Sequence, residues 1–498
     1  MNKINFLLLL LLSAIGLANA QTNTNKPNIV FILCDDLGYG DIQSLAPEMS
    51  KIKTPHVDKL TAEGMVFTDA HSGSSVCTPT RYGIMTGRYS WRSKLQKGVV
   101  QGYKPNLITE NRPTIGNFLQ NQGYHTAVIG KWHLNFQYVD ATSGIPLVKK
   151  SRKQLPPVGA TIPDGPIHRG FGYFHGFHHA RDMKAVIEDD KVILHEDEIN
   201  MLPRLTEKSV EYINEQVKNK DGKPFFLYVP LGSPHSPIVP TKEWQGKSGL
   251  GAYGDFVMQT DATVGAITKA LADNGLSENT LVIFSSDNGC SKAANIKGLA
   301  EQGHIVSAGY RGAKADLWDG GHRVPFVVKW PNVIKPGSTS NELICLTDIF
   351  ATFAELTKKA MPSESGEDSV SFLSALKGEK IHGTRAGVIH HSISGHFGYR
   401  LGKWKLLLAR GSGGWTSPRE KDALEMPIAQ LYNLETDPAE TQNLYTTHPE
   451  VADKLLQQLE LDVKTGRSTR GEYAENDVKN IVLWKSEKKN KKKRTSKK

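Results

Sequence analysis

The chain has 498 residues, of which 39% are hydrophobic and 22% charged, with 46 Gly and 25 Pro. That balance excludes a disordered chain, a coiled coil and a collagen-like repeat, and the length is enough for a sizeable core. The formal charge of +10 gathers at one end: Lys485 to Lys498 holds nine Lys/Arg against one Glu, Lys3 lies among the first 20 residues, and the body between carries about +1. A nearly neutral body argues against nucleic acid as a partner, and residues 476–498 read as a solvated basic tail.

Met1-Asn2-Lys3, an apolar stretch from Phe6 to Leu17, and Ala18-Asn19-Ala20 before Gln21 follow the order of a secretory signal over residues 1–20. No later stretch approaches the 18 or so apolar residues of a membrane span, so export to the periplasm or beyond, without anchoring, is expected. Cys34, Cys77, Cys290 and Cys345 are too sparse for a disulfide framework, and Cys34 and Cys345 read as small buried hydrophobes.

Residues 27 to 335 alternate apolar runs with helical patterns, which predicts an α/β domain with a mostly parallel sheet between helices. Four runs end at chemically capable residues. Asn28 to Cys34 stops at Asp35-Asp36, His125 to Gly130 at Lys131-Trp132-His133, Phe225 to Pro230 near Ser233-Pro234-His235, and Thr280 to Ser286 at Asp287-Asn288-Gly289. Ligands of open α/β sheets bind at the carboxyl ends of the strands, so these endings are expected to share one crevice. Helices are expected at His56 to Glu63, behind Thr54-Pro55, at Thr114 to Gln122 and at Tyr253 to Asp273, each closed by a Gly or Asn-Gly. Leu343 to Lys358 reads as one more helix. Strand-like pieces then follow at Gly387 to His391, Tyr399 to Leu408 and Gln430 to Leu434, with a helix at Glu450 to Lys464. The expected division is a catalytic domain at 21–375, a smaller α+β domain at 376–475 and the tail.

Asp35, Asp36, Asp287 and Asn288 offer four hard oxygen donors and no nitrogen or sulfur, a set suited to Ca²⁺ or Mg²⁺ rather than Zn²⁺. Cys77 stands where a helix running to Met85 begins, a place where backbone N–H groups and the helix dipole favour an anion, and Arg81 lies one turn on. His133 and His235 titrate near neutral pH and suit proton transfer.

Cys77-Thr78-Pro79-Thr80-Arg81, continued by Thr86-Gly87-Arg88, resembles the sulfatase signature. Asp35 to Asp41, Gly130 to His133, Ser233 to His235, Ser286 to Gly289 and Gly312-Ala313-Lys314 occur in that family's order, so the resemblance spans residues 27 to about 465. It implies an alkaline-phosphatase-like fold, a Cys77 converted by a maturation enzyme to formylglycine, and a Ca²⁺ ion. By the same resemblance Arg81 and Lys131 steady the hydrated aldehyde and His133 takes a proton from it. His235 and Lys314 bind sulfate and protonate the departing oxygen. Gly170 to Gly176 is also family-like, whereas His178, His179 and Arg181 fall where members vary and are expected to read the sugar of a sulfated glycan, a 6-sulfated galactose or N-acetylgalactosamine being the guess. Asp316, Trp318 and His322 are lesser candidates. A phosphomonoester or phosphonate hydrolase of the same superfamily, or a non-catalytic glycan-binding relative, are the competing functions.

Overall fold

The computed structural model describes residues 26–151, 154–219, 221–383 and 385–485, so the expected signal segment and residues 486–498 lie outside the described residues. The strands, in chain order, are β1 (Asn28–Asp35), β2 (Met65–Phe67), β3 (Ala70–His71), β4 (His125–Lys131), β5 (Tyr173–Phe177), β6 (Ala185–Glu188), β7 (Lys191–His195), β8 (Phe225–Pro234), β9 (Thr280–Ser286), β10 (Phe326–Lys329), β11 (Ser338–Ser340), β12 (Ile344–Cys345), β13 (Val388–His391), β14 (Phe397–Leu401), β15 (Trp404–Leu407) and β16 (Gln430–Asn433).

Ten of them form one sheet in the order β11-β2-β10-β9-β1-β8-β4-β5-β6-β7. Its centre, β9-β1-β8-β4-β5, is parallel throughout, and antiparallel neighbours begin at β10 on one side and β6 on the other. Strand β1 shows why the centre is apolar along its length. Ile29, Phe31 and Leu33 enter the core on one face and Val30, Ile32 and Cys34 the core on the other, as the two-residue period of a strand requires. Helices Cys77–Thr86, Ile115–Asn121 and Ile349–Leu356 cover the first face, and Pro55–Glu63, Met201–Lys218 and Gly251–Asp273 the second.

A four-stranded antiparallel sheet, β13-β14-β15-β16, forms the smaller unit, with Ala452, Leu455 and Leu459 of helix Pro449–Lys464 packed on it. Buried Lys405 of β15 ties this unit to the large one through Asp319 Oδ1 at 2.6 Å, while Glu440 Oε1 of its own unit accepts from it at 2.8 Å. Buried Arg92 holds Asp368 with two 2.8 Å hydrogen bonds and the Asp462 carbonyl at 3.0 Å.

Three expectations are corrected. Leu343 to Lys358 is not one helix: Ile344 and Cys345 pair with β3, Asp348 Oδ2 accepts from the Cys345 N–H at 2.8 Å, and the helix begins at Ile349. Tyr399 to Leu408 is a hairpin, because the Leu401–Trp404 pair leaves a two-residue loop whose first position, Gly402, has φ +55°. Residues 476–485 are not solvated tail. Ile481, Leu483 and Trp484 pack against the C-terminal core, and Asp477 pairs with Arg88 at 3.1 Å.

Candidate active site

The carboxyl ends of the five parallel strands converge, as expected, and bring acids, histidines and lysines into one crevice. Strand β1 delivers Asp35 and Asp36, β4 delivers Lys131 and leads to His133, β5 leads to His178 and His179, β8 leads to His235, and β9 leads to Asp287 and Asn288. Asp36 (φ +66°) and His133 (φ +55°) both turn through the left-handed region, a strained choice for non-glycine residues that is common where geometry serves chemistry. Cys77 opens helix Cys77–Thr86 behind an extended Val76 that supplies no side-chain cap, so the helix amino end meets the cleft directly.

The floor alternates anions and cations. Arg81 donates from Nε to Asp287 Oδ2 at 3.0 Å and from Nη1 to the Lys131 carbonyl at 2.8 Å, and its Nη2 pairs with Asp287 Oδ2 as an ion pair at 2.8 Å. The Lys131 ammonium donates to Asp35 and the Lys314 ammonium to Asp36. Asn288 Nδ2 donates to Asp36 Oδ1 at 2.8 Å. What remains is informative: Asp35 Oδ1, Asp36 Oδ2 and Asn288 Oδ1 are buried and have no hydrogen-bond partner. Three hard oxygens facing inward without a donor fit a divalent cation such as Ca²⁺. Burial alone would raise the Asp35 carboxyl, but Lys131, His235, Arg81 and Lys314 hold it well below the usual carboxylate range. Burial and the adjacent negative charge of Asp35 push Asp287 up to about 7. Acids crowded this closely need a positive charge between them to stay ionised together.

The proton-handling groups stand above this floor. His133 Nε2 lies 3.1 Å from the Val100 carbonyl, which can only accept, so that nitrogen carries the proton and Nδ1, buried without a partner, presents a lone pair. Burial, then Lys131, lower its pKa well below the ordinary histidine value. Partly exposed His235 has Nε2 3.6 Å from Asp36 Oδ2. A cavity of about 910 Å³ opens here, walled by Cys77, His133, His179, Arg181, His235 and Lys314.

The structure separates the expected sugar readers. His179 and Arg181 reach the cavity, the His179 ring standing edge-on to His133 at 4.5 Å. His178 does not. It is fully buried, accepts the Asn135 N–H at Nε2 (3.1 Å), and supports His133 and Phe136 from behind. Asp316 is spent on backbone: it accepts from Ala313, Trp415 and Thr416 N–H groups at 3.0, 2.8 and 3.0 Å. Trp318 is core, its Nε1 donating to Gln430 Oε1 at 3.0 Å. His322 belongs to a buried trio with His71 and His390. The His322 and His390 rings stack 3.8 Å apart and 13° from parallel, and His71 Nδ1 lies 3.0 Å from His322 Nδ1, so the trio packs β3 against β13 away from the cleft.

Sequence reasoning missed Gln101, Ser291, Lys292 and Trp415, which also line the cavity. Trp415 arrives from the C-terminal unit and carries Lys292 over its ring at 5.1 Å. No local pattern marks such residues, because only tertiary packing brings them to the mouth.

The sulfatase family model matches residues 27–359, and the model described as N-sulphoglucosamine sulphohydrolase, C-terminal, matches residues 313–465. The chain is 31% identical to N-acetylgalactosamine-6-O-sulfatase of Bacteroides thetaiotaomicron, covering 89% of this chain and 94% of that protein. It is 31% identical to arylsulfatase A of Bos taurus, over 90% of this chain and 89% of the relative. A solved structure from work on the metabolism of multiple glycosaminoglycans by Bacteroides thetaiotaomicron superposes with a TM-score of 0.75 at 28% identity, covering 88% of this chain and 99% of that one. The chain belongs to the sulfatase family. It is a sulfuric ester hydrolase built on the alkaline-phosphatase-like fold.

Proposed function

We propose that the protein is an exported sulfatase that removes sulfate from a glycan, with a 6-sulfated N-acetylgalactosamine or galactose unit as its target. The catalytic part rests on one observation: three buried, unpartnered oxygens of Asp35, Asp36 and Asn288 beside Cys77 at a bare helix amino end. The sugar is supported by the name of the Bacteroides thetaiotaomicron relative, and export by the signal-like residues 1–20. Cys77, matured by a separate enzyme to formylglycine, would supply the nucleophilic hydroxyl, and Ca²⁺ on Asp35, Asp36, Asp287 and Asn288 would supply positive charge at the sulfate.

The chain's own side chains perform the remaining work. The ammonium groups of Lys131 and Lys314 face sulfate oxygens and offset charge as the sulfur becomes five-coordinate. Arg81 fixes Asp287 and the Lys131 backbone, so the floor is set before substrate arrives. His133 accepts a proton at its bare Nδ1. On the other wall His235 delivers a proton to the departing ester oxygen; burial lowers its pKa, and the Asp36 and Asp35 carboxylates beside it oppose that shift.

Peptide mass spectrometry of residue 77 in protein from its native host, joined to aryl sulfate turnover with and without chelator, tests the reading. Formylglycine with chelator-sensitive turnover is expected. An unmodified thiol in the native protein sinks the mechanism, and preference for an aryl phosphate moves the protein to the phosphomonoesterase branch of the superfamily.

A further inference from the structure

We propose that the natural substrate carries a second anionic group on the sugar unit beside the sulfated one, seated on a shelf formed by Lys149, Lys150 and Arg181. This deepens the sulfatase reading and rests on it. A side cavity of about 330 Å³, lined by Gln101, Lys149, Lys150, Ser151, His179 and Arg181, shares Gln101, His179 and Arg181 with the main cleft. The two are therefore one trough, with Cys77 at one end and the shelf at the other.

The charge of this trough is selective. Its lining includes Lys149, Lys150, Arg181, Lys292 and Lys314, and among the described residues no carboxylate lines either cavity. Because the body of the chain carries only about +1, a basic composition does not account for that lining. Lys314 belongs to the sulfate floor through Asp36. Lys149 and Lys150 are on another loop and pair with none of the floor carboxylates.

The shelf is also built rather than loose. The Lys149 ammonium donates to buried Asp182 and lies 5.3 Å above the Tyr103 ring, which fixes it at the cavity wall. The Lys150 N–H donates to Gln154 Oε1 at 2.6 Å, which holds its loop. Arg181 Nη1 donates to Gln101 Oε1 at 2.7 Å across the boundary between the cavities. Since the scissile sulfate occupies the Cys77 end, the shelf's partner is a separate anion. A uronate carboxylate and a second sulfate share the needed chemistry, and the neutral sugar ring between them needs only the intervening wall of Gln101 and His179.

Four probes test this: 6-sulfated N-acetylgalactosamine alone, an oligosaccharide placing a uronate next to it, the carboxyl-reduced form of that oligosaccharide, and a form with an added sulfate on the reduced neighbour. An anionic neighbour is expected to raise kcat/KM about five- to tenfold over the reduced form, with the gain shrinking as salt is added. Whether the carboxylate or the added sulfate restores the gain identifies the anion. Lys150→Ala is expected to erase the gain through KM alone, and Lys150→Arg to keep it. Equal kcat/KM on charged and reduced neighbours overturns the proposal, as does a Lys150→Ala loss of the same size on the isolated monosaccharide. Calorimetric binding of the same oligosaccharides to Cys77→Ala protein needs no turnover. Loss of the preference there overturns the shelf, whereas a retained preference without aryl sulfate turnover by the unsubstituted protein overturns the catalytic reading instead.

Discussion

Addition and chelation of Ca²⁺ offer the sharpest check on the proposed role of the floor of the site. Three carboxylates there are balanced by Arg81, Lys131 and Lys314, so the cluster is close to neutral before any ion enters, and three oxygens are left without donors. Partial cancellation of the ligand charge argues for an affinity weaker than that of the tight cytosolic Ca²⁺ buffers, with a Kd on the order of 10 µM. At about 1 mM free Ca²⁺ the folded state would then gain ~2.7 kcal/mol by mass action. Unfolding 498 residues at ~2.1 cal/mol/K each carries an entropy of ~1 kcal/mol/K, so the expected rise in Tm is about 3 °C. Differential scanning fluorimetry in Ca²⁺ against EDTA reads this directly, and Asp36→Ala should abolish the response. An identical Tm in both buffers, together with no calorimetric Ca²⁺ binding, would refute the assignment of the unpartnered oxygens to a cation.

Three further outcomes are expected. Gly176 faces Gly130 across the parallel β4–β5 pair, and a Cβ on it would stand 1.9 Å from the Gly130 carbonyl oxygen; Gly176→Ala should cost about 3 kcal/mol or more and displace Lys131, an unchanged denaturation midpoint being the contrary result. Burial, against donations from Gln458 and Tyr399, raises the Asp462 carboxyl to about 6 from 3.8, so the protonated form is favoured by folding and its contribution is complete below about pH 4 and lost as pH climbs through 6. That is worth roughly 2–3 kcal/mol, and urea titrations should show the slope flattened in Asp462→Asn; a slope identical to that of the unsubstituted protein would count against it. Burial and Lys131 lower the pKa of His133, which keeps its Nδ1 free to accept a proton into the acid range, so the acid limb of kcat/KM should fall below pH 6.5, and a limb above that value would remove His133 as the acceptor.

The parts of this molecule legible in sequence are those whose cause is local or periodic. Strand β9 runs over the very residues expected, Thr280 to Ser286, because a buried parallel strand declares itself as a continuous apolar run closed by turn residues. The acids of the floor were legible for the same reason, since each follows such a run at a fixed offset. Ile344 and Cys345 misled because their apolar character suits a helix as well as a strand, and the choice was made by β3, more than 270 residues earlier in the chain. His178 misled differently: it sits one position from His179, and at the end of a strand adjacent side chains point to opposite sides, so one enters the cavity while its neighbour goes behind it. Trp484 was hidden by the lysines that follow it, whose charge describes residues 486–498 and not the apolar segment that packs on the C-terminal core.

Rigidity is distributed unevenly over the site, and the distribution follows from how each part is held. The floor residues sit at the ends of strands whose neighbours on both sides are hydrogen-bonded, and Arg81, Lys131 and Lys314 each make ion pairs with the acids they face, so a change there propagates through several partners at once. The rim is assembled from separate loops, with Lys150 and Arg181 on one side and Trp415 on the other, the last held by the backbone donations of residues 415 and 416 to Asp316, by Arg419 Nε on its carbonyl and by Lys292 over its ring. Substitutions on such loops disturb few other contacts. Sulfate hydrolysis can therefore stay constant while the sugar that is presented to it changes, and Lys150, exposed and clear of the floor, is the position where specificity should shift at the least expense to folding.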